Sequence, residues 1–171
     1  MNSDFEELYQ QVILDHSKRP RNYGLLEGEA VHVHGDNPSC GDEIQLHVRF
    51  GADGAVEDIR FTGMGCAISQ ASASLMTLKL KGKSRAEALQ LLEAFTDVVT
   101  TGLQEPPKAL GDLQLLAGVR HFPQRVKCAM LAWRAFEQAS QQAPAPAPAP
   151  ASAPTPAAGI GAAENLGPQP A

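Results

Sequence analysis

Between residues 44 and 62 the chain alternates apolar and polar side chains, a pattern that fits a β-hairpin. Ile44, Leu46, Val48 and Phe50 keep a strict spacing of two, which puts all four on one face of an extended segment. Ala52-Asp53-Gly54 supplies the turn, and Val56 to Thr62 returns with Ile59 and Phe61 on a common face. Just upstream, Val31 and Val33 alternate with His32 and His34. Three antiparallel strands in a meander are therefore expected before any helix is placed.

The flanking text has helical spacing. Ser3 and Glu6 make a capping-box start, and Phe5, Leu8, Val12 and Ile13 continue a helix to about His16. After Gly63-Met64-Gly65, residues Cys66 to Leu80 read as a helix with Ile68, Ala71, Leu75 and Leu78 inward, stopping at Gly82. Ser84 and Glu87 form a second capping box before Leu89, Leu92 and Phe95, in a helix to about Val99. Pro106-Pro107 interrupts the chain, and Lys108 to Val119 predicts a shorter helix with Leu110, Leu113 and Leu116. Pro123 fits a first helical position, followed by Val126, Met130, Trp133 and Phe136 to about Ala139. The expected fold class is α+β, a small antiparallel three-stranded sheet with helices packed on one face.

Two regions are expected along the chain. Residues 1–142 form the folded domain. From Ala143 to Ala171 the text is Ala-Pro repeats and Ala/Pro/Gly-rich sequence with Glu164 as its one charge. Such a segment lacks the side chains to bury a core and should be extended, PPII-like and disordered. A spacer or solubilising extension is the expected use, ahead of a PPII-binding partner. The net charge of −5 gives no basic footprint for nucleic acid. No run approaches the ~20 apolar residues of a membrane span. The acidic start, Met1-Asn2-Ser3-Asp4-Phe5-Glu6-Glu7, is unlike a signal peptide, so a cytoplasmic location is expected. In that compartment three cysteines point to metal binding or reactivity rather than disulfides.

Each cysteine sits at a loop or near a helix start. Cys40 lies in Asn37-Pro-Ser-Cys-Gly-Asp42, where Pro38 fixes φ and Gly41 can take a positive φ. Cys66 follows Gly63-Met64-Gly65, and Cys128 follows Pro123 in the last helix. A helix N-terminus favours thiolate, the form that binds metal and attacks sulfur. Cys40, Asp42, Cys66 and Cys128 are expected to converge on one site. Three thiolates and a carboxylate suit tetrahedral Zn²⁺ and leave a formal charge of about −2, which Arg125 and Lys127 are placed to offset. Against this, no Cys-x-x-Cys pair is present, and a free cysteine is often a small buried hydrophobe. His32, His34 and His47 read as ordinary strand histidines, and His121 is the best histidine candidate for a ligand. The Lys79 to Arg85 cluster reads as a solvated helix junction, Trp133 and Met130 as core, and Met64 as a loop anchor.

The three cysteine segments, Asn37-Pro-Ser-Cys-Gly-Asp42, Gly63-Met-Gly-Cys-Ala-Ile-Ser69 and Arg125-Val-Lys-Cys-Ala-Met-Leu-Ala-Trp133, resemble the motifs of the U-type iron–sulfur cluster assembly scaffold family. The opening Leu8-Tyr9, Ile13-Leu14-Asp15-His16 and Pro20-Arg21-Asn22 resemble its first helix and loop, so the likeness runs from about Asp4 to Ala139. The IscU branch has a histidine immediately before the third cysteine, where this chain has Lys127. The interval from Cys66 to Cys128 is also longer than in IscU, consistent with an insertion around Thr100 to Leu116. Both features resemble the SufU branch.

That resemblance implies a zinc-dependent sulfurtransferase working with a SufS-type cysteine desulfurase, a sulfur-transfer protein rather than a stand-alone small-molecule enzyme. It implies Cys40, Asp42, Cys66 and Cys128 as zinc ligands and Cys40 as the catalytic acceptor of persulfide sulfur. It further implies that a desulfurase histidine replaces Cys40 on the metal, with Arg125 as a candidate for docking or for steering the persulfide. The alternative is a scaffold that builds a labile [2Fe–2S] cluster from iron and sulfur on Cys40, Cys66 and Cys128 and passes it to downstream cluster-assembly proteins or apo-proteins. A structural zinc domain without chemistry is the third reading.

Overall fold

The computed structural model describes residues 3–102 and 104–146, without the side chains of residues 3 and 5. The proposed capping contact at Ser3, the packing of Phe5 and the Ala/Pro text beyond residue 146 lie outside the described residues. In chain order the elements are α1 (Ser3–Lys18), β1 (Val31–Asn37), β2 (Asp42–Phe50), β3 (Val56–Met64), α2 (Ala67–Leu80), α3 (Arg85–Thr100), a 3₁₀ segment (Lys108–His121) and α4 (Pro123–Gln142). No described helix is long and apolar enough to cross a membrane.

The meander is present, with strand order β1-β2-β3 and every pairing antiparallel. Its register opposes Val33 to Leu46 to Phe61, and Val31 to Val48 to Ile59. Leu46, Val48, Ile59 and Phe61 are completely buried on the face that α2 and α4 cover. The other face carries His32, His34, Gln45, His47 and Arg60, and Arg49 reaches from it to the backbone carbonyls of Glu27 and Glu29. The α+β class with helices on one face is thus observed. α1 lies on α2, and α3 with the 3₁₀ segment lies on α4, as a further layer.

α2 is the central helix and is buried nearly all round. Two of its serines, Ser72 and Ser74, are fully buried with their hydroxyls satisfied. Ser72 donates to the Ala129 carbonyl at 2.6 Å and accepts from Trp133 Nε1 at 3.2 Å. Ser74 meets His16 Nδ1 at 2.7 Å and accepts the Arg21 N–H at 2.8 Å. Ile68, Ala71 and Leu75 face inward as expected, but Leu78 is 48% exposed. Met76, Thr77 and Leu80 occupy the interior in its stead. The Ser84–Glu87 capping box is formed, and Pro123 opens α4.

The helix expected over Lys108 to Val119 is a 3₁₀ segment instead, broken at Gly111 (φ 52°, ψ −127°). Leu110, Leu113, Leu116 and Val119 recur every three residues, the period at which 3₁₀ side chains eclipse, and all four are buried.

Beyond α4, Arg85 stacks 4.9 Å over Phe50 and donates to the Pro144 carbonyl at 2.9 Å. Pro146 lies against Gly54 at the tip of the β2–β3 hairpin.

Candidate metal centre

The site forms where three chain reversals meet. Asn37 ends β1 and Asp42 begins β2 directly opposite it, so Pro38 to Gly41 make a tight connection. The Cys40 N–H donates to the Asn37 carbonyl at 3.2 Å, and Gly41 adopts φ 69° as its lack of a Cβ allows. Cys40 is left exposed at the tip, while Asp42 is 1% exposed. Pairing of Glu43 with Met64 brings Gly65 against Asp42. A Cβ at Gly65 would lie 2.5 Å from Asp42 Oδ1, so only glycine permits this approach.

Cys66 is the N-cap of α2. Its sulfur accepts the Ser69 N–H at 3.4 Å, and its own N–H donates to Asp42 Oδ1 at 2.8 Å. Cys66 thus meets the expectation of a thiol at a helix N-terminus. Cys128 sits deeper, in the second turn of α4, beyond the unpaired N–H groups. Its thiol lies 3.4 Å from the Gln124 carbonyl, to which it donates. Here the helix does not lower the thiol pKa. Burial pushes Cys128 far up, and its contacts with the Asp42 carboxylate, Cys40 and Cys66 push in the same direction.

The donor atoms of Cys40, Asp42 and Cys128 all lie within 4.8 Å of one another. Cys66 falls outside that mutual set but is tied to it through Asp42 and through its contact with Cys128. Residues separated by almost ninety positions therefore offer two sulfurs and a carboxylate to one point, with a third sulfur beside them.

The surrounding residues divide differently from the sequence expectation. Arg125 is exposed, with its guanidinium 5.9 Å from the Phe122 ring centre. Burial raises the phenol pKa of half-buried Tyr9, with the Arg125 charge opposing this and Cys66 adding to it. Lys127 lines a groove of about 380 Å³ with Asp36, Thr96, Met130 and Arg134. His121 is exposed and outside the donor set, as are His32 and His34, while His47 is buried in the sheet. Met64 is 67% exposed, and it is its strand pairing with Glu43 that holds this end of β3. Sequence reasoning assigned no role to Asn37, although it opens the Cys40 motif. Its side-chain amide donates to both Asp42 and Cys128.

Comparison with known proteins agrees with this geometry. The family model for the NifU-like N terminal domain matches residues 8–140. An iron–sulfur cluster assembly scaffold protein IscU from Streptococcus pyogenes serotype M1 is 49% identical over 138 residues, covering 80% of this chain and 85% of that one. The zinc-dependent sulfurtransferase SufU of Bacillus subtilis is 44% identical over 137 residues, covering 80% and 92%. A crystal structure described as a SUF-system iron–sulfur cluster assembly scaffold from Fervidobacterium islandicum superposes with a TM-score of 0.71 at 35% identity, over 79% of this chain and 98% of that one. With the cysteine motifs, the three-stranded sheet and the convergent thiols all in place, the chain belongs to the NifU-like N-terminal domain family.

Proposed function

We propose that this chain is a sulfur-transfer protein of iron–sulfur cluster assembly, in which Cys40 accepts persulfide sulfur from a SufS-type cysteine desulfurase. Cys40, Asp42, Cys66 and Cys128 together hold one Zn²⁺. The observation that carries the reading is the shared point of Cys40, Asp42 and Cys128, with Cys40 exposed and the other two buried.

The donor set fits such an ion. Asp42 is buried with no Lys or Arg ion pair among the described residues. Burying a carboxylate and a thiol side by side costs free energy unless a cation joins them. Thiolate sulfur with carboxylate oxygen suits Zn²⁺, which would keep the sulfurs deprotonated and ordered without redox chemistry of its own.

The chain's own residues account for the rest. Cys40 and Cys66 are both exposed, but the Cys66 sulfur accepts the Ser69 N–H as the cap of α2. Cys40 stands at the tip of its turn and is the thiol offered to an incoming protein. As thiolate it attacks the terminal sulfur of the desulfurase persulfide. One S–S bond forms, the S–S bond of the donor breaks, and the electron pair leaves on the desulfurase thiolate. Cys40 becomes the persulfide, and no external oxidant or reductant is needed. Buried Cys128 and Asp42 stay in place, and exposed Arg125 offers a cation to the anionic persulfide. Residues 1–142 do this work, and the Ala/Pro-rich remainder serves as a spacer.

The 49% identity to a relative named as a scaffold favours a second reading, in which the same cysteines assemble a [2Fe–2S] cluster as cargo. One experiment separates the two. Metal analysis of the protein as purified should give about one zinc per chain, as one site of this kind holds one ion. Desulfurase turnover should rise with the wild type and return to the unassisted level with Cys40→Ser, whose circular dichroism stays native. Full stimulation by Cys40→Ser would overturn sulfur acceptance. A visible cluster spectrum and its transfer to an apo-protein, with no zinc retained, would install the scaffold reading.

A further inference from the structure

The thiol cluster is held from behind by an amide. Asn37 closes β1, pairs in register with Asp42 and is 6% exposed. Its backbone carbonyl accepts the Cys40 N–H at 3.2 Å. Its Nδ2 lies 3.5 Å from Asp42 Oδ2 and 3.7 Å from Cys128 Sγ. One residue thus touches three of the four proposed ligands, two of them through a single nitrogen. Among the described residues it is the one residue whose side chain donates N–H hydrogen bonds to the cluster; the remaining N–H donors are backbone groups of Cys66 and Ser69.

The charge of the site gives this contact its value. Three thiolates and a carboxylate around a divalent ion leave excess negative charge, and no ion pair among the described residues reaches Asp42. A lysine or arginine there would compete with the ion for the same lone pairs. A neutral amide offsets part of the charge, cannot itself titrate, and on its short stem keeps a fixed direction. Its contacts are also uneven. Asp42 and Cys128 are buried and bound by the side chain; of the two exposed thiols, Cys40 is held only through its backbone and the Cys66 sulfur accepts the Ser69 N–H.

We infer that Asn37 is a positioning residue that fixes the buried pair Asp42 and Cys128 as ligands, a hold that its side chain gives to neither exposed thiol, Cys40 or Cys66. This rests on the metal centre proposed above.

The test uses Co²⁺ as a spectroscopic probe on the full chain, with Asn37→Asp and Asn37→Ala. Losing a hydrogen bond to metal ligands should weaken Co²⁺ binding by about 10–100-fold. The sulfur-to-cobalt charge-transfer band should move, while circular dichroism of the metal-free protein stays unchanged. In the zinc-loaded wild type, alkylation read by mass spectrometry should modify Cys40 before Cys128, and both variants should lose that order. Wild-type affinity, spectrum and alkylation order in both variants would overturn the role. If Asn37→Ala does not fold, Asn37→Asp, of the same size, carries the comparison. Loss of fold in both would also overturn it, by assigning Asn37 to the architecture. A wild type that binds no Co²⁺ would instead sink the metal centre.

Discussion

At Gly65 the chain has no room for a methyl group, because the Asp42 carboxylate occupies the place where a Cβ would go. Gly65→Ala must push β2 and the start of α2 apart, breaking the Cys66 N–H bond to Asp42. Overpacking of this kind typically costs about 1–3 kcal/mol. The expected result is a lower unfolding midpoint together with weaker metal retention against a chelator; an unchanged variant would show that Asp42 can move freely. Residues of this sort were only partly legible. Cys40, Asp42, Cys66 and Cys128 stood out because thiols are rare here and each lies in a loop, at a strand start or near a helix start. Asn37 did not, since an asparagine before a proline reads as turn chemistry. Its role depends on which helix packs behind β1.

Elements were legible where one period dominated. The strands followed from alternation, and the Ser84 cap from its partner Glu87 three residues on, with Ser84 accepting the Glu87 N–H at 3.1 Å. Ser84→Ala removes that acceptor and should lower stability by about 1 kcal/mol. Chemical denaturation checks it, with no change expected in metal content. The 3₁₀ segment was misread although its signal was present. Leucines at a strict interval of three fit a 3₁₀ face better than an α-helical one, which would need intervals of three and four. Leu78 was misplaced for a different reason. A helix enclosed on most sides has no apolar stripe to read, and its buried serines take partners in α1 and α4 that the sequence does not reveal.

On the scale of the whole molecule, two histidines are shielded from solvent, His16 against α2 and His47 on the sheet face turned away from the helices. Burial depresses the pKa of His16 with help from Arg21, against the opposing pull of Asp15 and Asp112. Burial depresses His47 likewise, with its cross-strand neighbour His32 adding to the effect. Both folded values lie below the ordinary 6.5, so the unfolded chain takes up protons that the folded one refuses. Stability should be whole above about pH 6.5 and decline as pH falls below it. His47→Gln should flatten that decline when compared with wild type at equal metal loading. Equal slopes in the two proteins would remove His47 from the account. The elements that carry these rings were legible from the sequence, but the depth of each ring was not. The molecule also has two unlike ends. Along the nine residues of β2, Asp42 and the hairpin turn stand roughly 26 Å apart at ~3.3 Å per residue. Pro144 and Pro146 are seated beside Arg85 and that turn, so the chain departs from the pole far from its sulfurs. A molecule held to a bead or carrier at Pro146 would turn Cys40 away from the point of attachment.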